Sequence, residues 1–301
     1  MILIAGATGV LGSEICGLLA EQGTAIRALV RETSDPEKVA RLKEMGAETV
    51  VGDLTDRGSL DKACQDIKTV VSTVSGIHGR LDGDTIARVD REGQQNLIDA
   101  AKAAGVDRFI FISFPGGTEG FPLQDAKRTT EQALMESGIN YTILQPTCFM
   151  EVWLSPALGF DAVGGEARIY GTGENKISFI SYKDVAKFAA AAVDNPAAKN
   201  SVIELGGPEA LSPLEVVKIF ERATGRKFSL QHISEEALMQ QKAATADPRA
   251  QSFAGLMLYA AEGSPIPMDE TLKKFPIKLQ SVEDLARETT LGSDKSTVGT
   301  V

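Results

Sequence analysis

Three glycines spaced by three, in Gly6-Ala7-Thr8-Gly9-Val10-Leu11-Gly12, follow a short apolar run and precede an amphipathic stretch. That order reads as a strand, a tight turn and a helix N-terminus, which together present free backbone N–H groups to phosphate oxygens. Gly6 permits the turn, Gly9 lets a pyrophosphate reach the backbone, and Gly12 lets the helix lie close to the strand, with Thr8, Val10 and Leu11 along the same edge. A bare strand-to-helix turn without a ligand is the alternative. The next apolar run, residues 25–30, ends in Arg31, whose guanidinium could stack on adenine and fork to the 2′-phosphate of NADP(H). Glu32 beside it could pair with the ribose instead, and Arg31 could be an ordinary strand-end charge. Asp53 follows the run 49–51, where a carboxylate can accept the adenine amino group or simply form a turn. Ser113 closes the run 109–112 and could bond a carbonyl oxygen near the expected nicotinamide, or cap its strand.

The elements that must position these groups alternate. Residues 2–5, 25–30, 49–51, 69–74, 109–112 and 141–144 are short runs rich in Val and Ile and read as strands. Between them, residues 11–21, 37–45, 59–65, 86–104 and 125–136 carry helical periodicity, most closing near a glycine. This predicts an α/β, Rossmann-type doubly wound parallel sheet, which binds ligands at the carboxyl ends of its strands. Residues 1–146 would form the dinucleotide core. Residues 147–290 would form a smaller, mostly helical substrate region interwoven with it, strand–helix order returning near 178–205, and residues 291–301 a frayed tail. Within the second region, 147–175 reads as loop with short helices, 178–180 and 202–205 as strands, and Ser212-Pro213-Leu214-Glu215 as a capping box with proline at the first helical position. Helices are expected at 235–242, 253–261 and 282–288.

Aromatic and soft side chains at strand ends and in the irregular segment, Phe114, Phe121, Phe149, Met150 and Trp153, fit an apolar substrate wall, or plain core. His78 sits in the loop after the fourth strand, as a rim group or an exposed histidine.

Composition removes several classes of function. With 31 Lys+Arg against 41 Asp+Glu in 301 residues, the net charge of -10 argues against direct nucleic-acid binding and against an anionic membrane surface. No apolar run is long enough to span a bilayer, and the N-terminus runs straight into the glycine turn rather than through a signal sequence, so the cytoplasm is expected. Three cysteines and two histidines, all far apart, indicate neither a disulfide framework nor a metal site.

Taken as a set, the glycine loop, Arg31, Gly52-Asp53-Leu54, residues 96–101, residues 108–113, Lys127, Tyr141-Thr142-Ile143-Leu144-Gln145-Pro146, Asp184-Val185-Ala186 and Gly206-Gly207-Pro208 resemble the atypical short-chain dehydrogenases, specifically the NmrA-like and isoflavone-reductase-like branch. The resemblance implies NADP(H) binding through the loop, Arg31, Asp53, Leu54 and Lys127. It also implies hydride transfer to a small, apolar, aromatic or quinone-like molecule. Carbonyl-reducing relatives donate the proton from a Tyr four residues before the Lys; here that position is Leu123, and neighbouring Gln124 and Phe121 cannot ionise. Isoflavone-reductase-type members keep only the lysine, which leaves Lys127 as acid, proton relay or ribose clamp. The residue pattern offers a plainer reading, a solvated pair between Lys127 and Glu131. Without the Tyr, a redox sensor that binds NADP(H) without turnover, and acts through a regulatory protein partner or as a homodimer, is the alternative.

Overall fold

Short β-branched runs with no polar face form strands that must be buried on both sides, and the amphipathic segments between them supply the cover. A computed structural model describes the chain except residues 78, 80, 82, 119 and 297–301, so His78 lies outside the described residues. In chain order the elements are β1 (Ile2–Ala5), α1 (Val10–Glu21), β2 (Ile26–Val30), α2 (Pro36–Glu44), β3 (Glu48–Val51), α3 (Arg57–Ala63), β4 (Thr69–Ser72), a π-helical turn (Ala87–Gly93), α4 (Gln94–Ala103), β5 (Arg108–Ile112), α5 (Pro122–Glu136) and β6 (Asn140–Pro146). Then come α6 (Met150–Trp153), β7 (Phe160–Asp161), β8 (Glu166–Tyr170), α7 (Tyr182–Ala192), β9 (Ser201–Leu205), α8 (Pro213–Thr224), β10 (Ser229–Ile233), α9 (Glu235–Ala243), α10 (Pro248–Glu262), α11 (Asp269–Lys274) and α12 (Val282–Ser296).

Two compact units result. The first comprises Met1–Phe114, Phe121–Gln145 and Val185–Glu204. Its sheet runs β3-β2-β1-β4-β5-β6-β9, with parallel pairing from β3 through to β6. Every residue of β1 and of β4 is buried, so the centre of the sheet is covered on both faces. One core cluster joins Leu3, Leu29 and Val70 of the sheet to Leu60 of α3 and Leu97 and Ile98 of α4. Strand order reverses between β1 and β4, which opens the crevice where such sheets take ligands.

The second unit comprises Pro115–Gly120, Pro146–Asp184 and the described chain from Leu205 onward. It holds a three-stranded sheet, β10-β8-β7, in which β8 pairs parallel to β10 and antiparallel to β7. Phe160, Ile169, Ile177, Phe179, Phe220 and Tyr259 belong to its core. The capping box forms as read: Ser212 Oγ accepts from the Glu215 N–H and Glu215 Oε2 accepts from the Ser212 N–H.

Four expectations change. Residues 86–104 are not one regular helix, because a π-helical turn, in which Asp90 is buried, precedes α4. The run 178–180 makes no strand: Ile177 and Ile180 form only isolated bridges, to Leu211, Ser264 and Phe149. The stretch 147–175 contains β7 and β8, joined by a turn in which Asp161 Oδ1 accepts from the Val163 and Gly164 N–H groups. Finally, the helix expected at 282–288 continues to Ser296, while residues 201–205, in the region read as interwoven with the core, supply the outer strand of the large sheet.

Candidate active site

The glycine loop adopts the geometry its spacing implies. Gly6 has φ +84, a left-handed conformation that disfavours any side chain, and a Cβ there would stand 2.5 Å from Thr73 Oγ1 in the segment after β4. A Cβ on Gly12 would meet the Gly6 carbonyl oxygen at 2.2 Å, so the close approach of α1 to the end of β1 requires glycine. Gly9 is the N-cap residue of α1 and offers no side chain to the helix, whose first N–H groups are left for a ligand. Val10 is 62% exposed at the same edge, an apolar surface that a bound molecule would cover. Thr8 is half-buried and the Leu11 side chain packs inward.

Around this loop stand the two groups expected at the adenine end. Arg31 ends β2 with its Nη1 2.8 Å from Asp84 Oδ1, a carboxylate anchored in the segment after β4. It is therefore neither a free strand-end charge nor a committed one, since five guanidinium N–H donors leave room for a second anion. Glu32 is exposed. Asp53 forms a turn, its Oδ1 accepting from the Thr55 N–H at 2.8 Å and the Thr55 hydroxyl at 2.7 Å. Its second carboxylate oxygen carries no such bond to Thr55. Leu54 buries its side chain in the core cluster, so only its backbone is available to a ligand.

At the other end of the crevice Lys127 is buried, 5% exposed, on the inward face of α5. Its Nζ lies 3.6 Å from Asp90 Oδ1, 3.4 Å from the Val74 carbonyl oxygen after β4 and 3.3 Å from that of Ile112 at the end of β5. The Phe111 ring centroid is 4.8 Å away. This overturns the surface pair with Glu131. That carboxylate bonds Arg128 Nη1 at 2.8 Å and Gln145 Nε2 at 2.9 Å instead. Burial pushes the Lys127 ammonium below its ordinary value, while the neighbouring Asp90 and, more weakly, Glu131 carboxylates oppose that shift. Ser113, next along from Ile112, buries its hydroxyl without a hydrogen-bond partner among the described residues. An unsatisfied buried hydroxyl is costly, and a ligand hydroxyl, carbonyl or amide would relieve it.

The expected substrate wall divides between the units. In the first, Phe114 and Phe121 stack with centroids 5.8 Å apart, and the Arg128 guanidinium lies 5.8 Å from the Phe114 ring. In the second, Met150 is fully buried in the core cluster, whereas Trp153 with Phe160, Tyr170 and Phe179 lines a pocket. Phe149 is half-buried and forms a backbone bridge with Ile180.

Asp90 and Asp84 carry much of this arrangement and were not singled out in the sequence. Asp90 sits among Arg88, Arg91 and Glu92, a pattern that reads as a solvated helix face. Gly93 was the available signal, because a glycine inside a helical pattern marks a close approach; a Cβ there would stand 2.8 Å from Leu54 Cβ. Among the described residues there is no group of three or more His, Cys, Asp or Glu that could hold a metal ion, and no helix is long and apolar enough to cross a membrane.

Residues 1–285 match the NmrA-like family. The photosystem II assembly factor Ycf39 of Synechocystis sp. is 32% identical over 237 residues, covering 77% of this chain and 70% of that protein. The NAD(P)H azoreductase of Xenophilus azovorans is 31% identical over 263 residues, 86% of each chain. Among solved structures, the NADPH-dependent quinone oxidoreductase of Escherichia coli in complex with NADPH superposes with a TM-score of 0.77 at 25% identity, over 96% of this chain and 99% of that one.

Proposed function

The chain belongs to the NmrA-like family, and from that premise we propose that it is an NADPH-dependent reductase of a small, flat, conjugated molecule such as a quinone or an azo compound. The observation that carries this reading is the buried Lys127 ammonium, bonded to the Ile112 carbonyl at the end of β5 where the next residue, Ser113, buries an unsatisfied hydroxyl, in a sheet whose first strand leads into an uncapped helix N-terminus. The residues fit the dinucleotide. The N-terminus of α1 would hold the pyrophosphate, Arg31 the 2′-phosphate and Asp53 the adenine amino group. Lys127 would hold the nicotinamide ribose.

Reduced nicotinamide supplies a hydride when bound. The chain's own part is to orient, to exclude water and to deliver a proton. Lys127 Nζ makes only contacts of 3.3 Å or longer, so its protons are weakly committed and can be redirected to a ligand oxygen or nitrogen. Ser113 Oγ would orient the group being reduced. Leu123 is buried and apolar where a proton-donating Tyr would stand, which leaves Lys127 as the acid in this reading. Phe114 and Phe121 would supply aromatic surface for a flat substrate.

A second reading has one observation in its favour, the 32% identity to an assembly factor. In that reading the protein binds NADP(H) without turnover and acts through a protein partner. The test is loss of reduced-nicotinamide absorbance when purified protein and NADPH are challenged with a panel of quinones, azo dyes and enones. Turnover of any member supports the reductase. Tight NADPH binding with no turnover across the panel supports the second reading.

A further inference from the structure

Asp90 is fully buried, in the middle of the π-helical turn, with no role in the site as read from the sequence. Three elements hold it. Its Oδ2 accepts the Gly76 N–H at 2.7 Å from the segment after β4, and its own carbonyl oxygen accepts the Thr130 hydroxyl of α5 at 2.9 Å. The backbone of the π-helical turn is the third, placing residue 90 on the same buried face as Ile86, Val89 and Gly93. Its Oδ1 makes no hydrogen bond and faces Lys127 Nζ at 3.6 Å.

That arrangement makes poor sense as a stabilising device. Burying two opposite charges costs more than an apolar pair of the same volume unless the contact is close and every remaining donor and acceptor is satisfied. Here the contact is loose, one carboxylate oxygen is unbonded, and the lysine makes only long hydrogen bonds. Deviations from good packing of this kind are kept where they serve a site.

We propose that Asp90 is a positioning residue, fixing both the place and the charge of the Lys127 ammonium at the ends of β4 and β5. This rests on the reading of Lys127 as the proton-delivering group. A lysine buried in this way would tend to shed its proton. The anions facing it are Asp90 from the π-helical turn and Glu131 from its own helix, and Arg128 opposes them. Glu131 is already paired with Arg128 and bonded to Gln145, so Asp90 is the stronger of the two anions holding the proton on Lys127. The distance matters as much as the sign. At 3.6 Å the carboxylate attracts the ammonium without capturing a proton in a short bond, and leaves it deliverable to a ligand.

The test is kinetic and spectroscopic. In Asp90→Asn the alkaline limb of the kcat–pH profile should move to lower pH by about one unit or more, the size of an opposite-charge effect. At pH 8 kcat should fall about tenfold, while the Kd for NADPH changes less than about threefold. In a Lys127→Met background the same substitution should produce no further loss of kcat. An unmoved alkaline limb, or an equal loss with and without Lys127, would overturn the proposal. A Lys127→Met variant with full activity would instead overturn the reading of Lys127. If Asp90→Asn does not fold, or if no substrate is turned over, the wild-type protein decides the matter: the lysine ¹³Cε resonance missing from the Lys127→Met spectrum should be that of an ammonium at pH 7. A neutral amine there would overturn the assignment to Asp90.

Discussion

Arg31 and Lys127 are both cations tied to buried or partly buried carboxylates, yet the two ties have different consequences. Arg31 is two-fifths exposed and its bond to Asp84 uses one end of the guanidinium, so the rest can fork to a 2′-phosphate. Arg31→Ala should weaken NADPH binding at least about tenfold and leave NADH nearly unchanged, since a charge-assisted contact contributes about 1.5–3 kcal/mol. Calorimetric titration of both cofactors checks this, and equal losses would contradict the assignment. Lys127 has no such freedom. Its removal leaves Asp90 buried without a counter-charge, so Lys127→Met should cost about 3 kcal/mol of stability in urea denaturation. A surface pair with Glu131 would have predicted a few tenths. The same variant should lower kcat by about 10²–10⁴, the usual size of a general acid contribution, measured with any quinone the wild-type protein reduces.

The turn from β1 into α1 separates two uses of glycine that look alike in the sequence. Gly9 has an ordinary negative φ, and a Cβ there would meet only the Gly6 carbonyl oxygen at 3.2 Å. Gly9→Val should therefore fold with a smaller loss of thermal stability than a substitution at Gly12 and lose binding of both cofactors, because the isopropyl group fills the space a pyrophosphate needs. Retained affinity would remove the loop from the site. Gly12 is different, since its Cβ would stand at 2.2 Å from backbone that cannot yield. Gly12→Ala should destabilise the fold by about 3 kcal/mol, visible in a denaturation curve before any ligand is added. The π-helical turn is the other element with a specific task, since it carries Asp90 on its buried face toward Lys127, while the charged neighbours Arg88, Arg91 and Glu92 mask that role in the sequence.

For the molecule as a whole, the three cysteines report on the integrity of both units, with Cys16 and Cys64 in the first and Cys148 in the second. Burial raises all three thiols, Cys16 from the ordinary 9.0 to about 12 and Cys64 to about 11, with Cys148 raised further still. Thiol titration at pH 8 should find no reactive cysteine until denaturant is added. The unfolded chain ionises these groups first, so it binds fewer protons than the folded protein above pH 9. Stability is therefore intact below pH 9 and is lost as the pH rises toward 11 and 12, at about 1.4 kcal/mol per pH unit for each thiol. A denaturation midpoint that is flat from pH 8 to about pH 10.5 would contradict this burial.

Periodicity carried the large sheet: β1, β2, β3, β4, β5 and β6 lie within two residues of their predicted bounds, because fully buried parallel strands and their amphipathic covers leave an unmistakable apolar pattern. The glycine loop was equally legible, since its spacing encodes backbone geometry that no side chain can replace. The second unit was less so. Its β7 and β8 are short and half-exposed; β7 pairs only with β8 across a tight turn, and β8 takes its other partner, β10, from some sixty residues on in the chain, which no local pattern announces. What a lysine does depends on its burial and on the charge that faces it. Lys127 and Glu131 are spaced for a helix-surface pair, and only the packing of α5 against the π-helical turn and the ends of β4 and β5 turns Lys127 toward Asp90. Charge pairing is set by distance through space and by exclusion of water, and neither quantity is written along the chain.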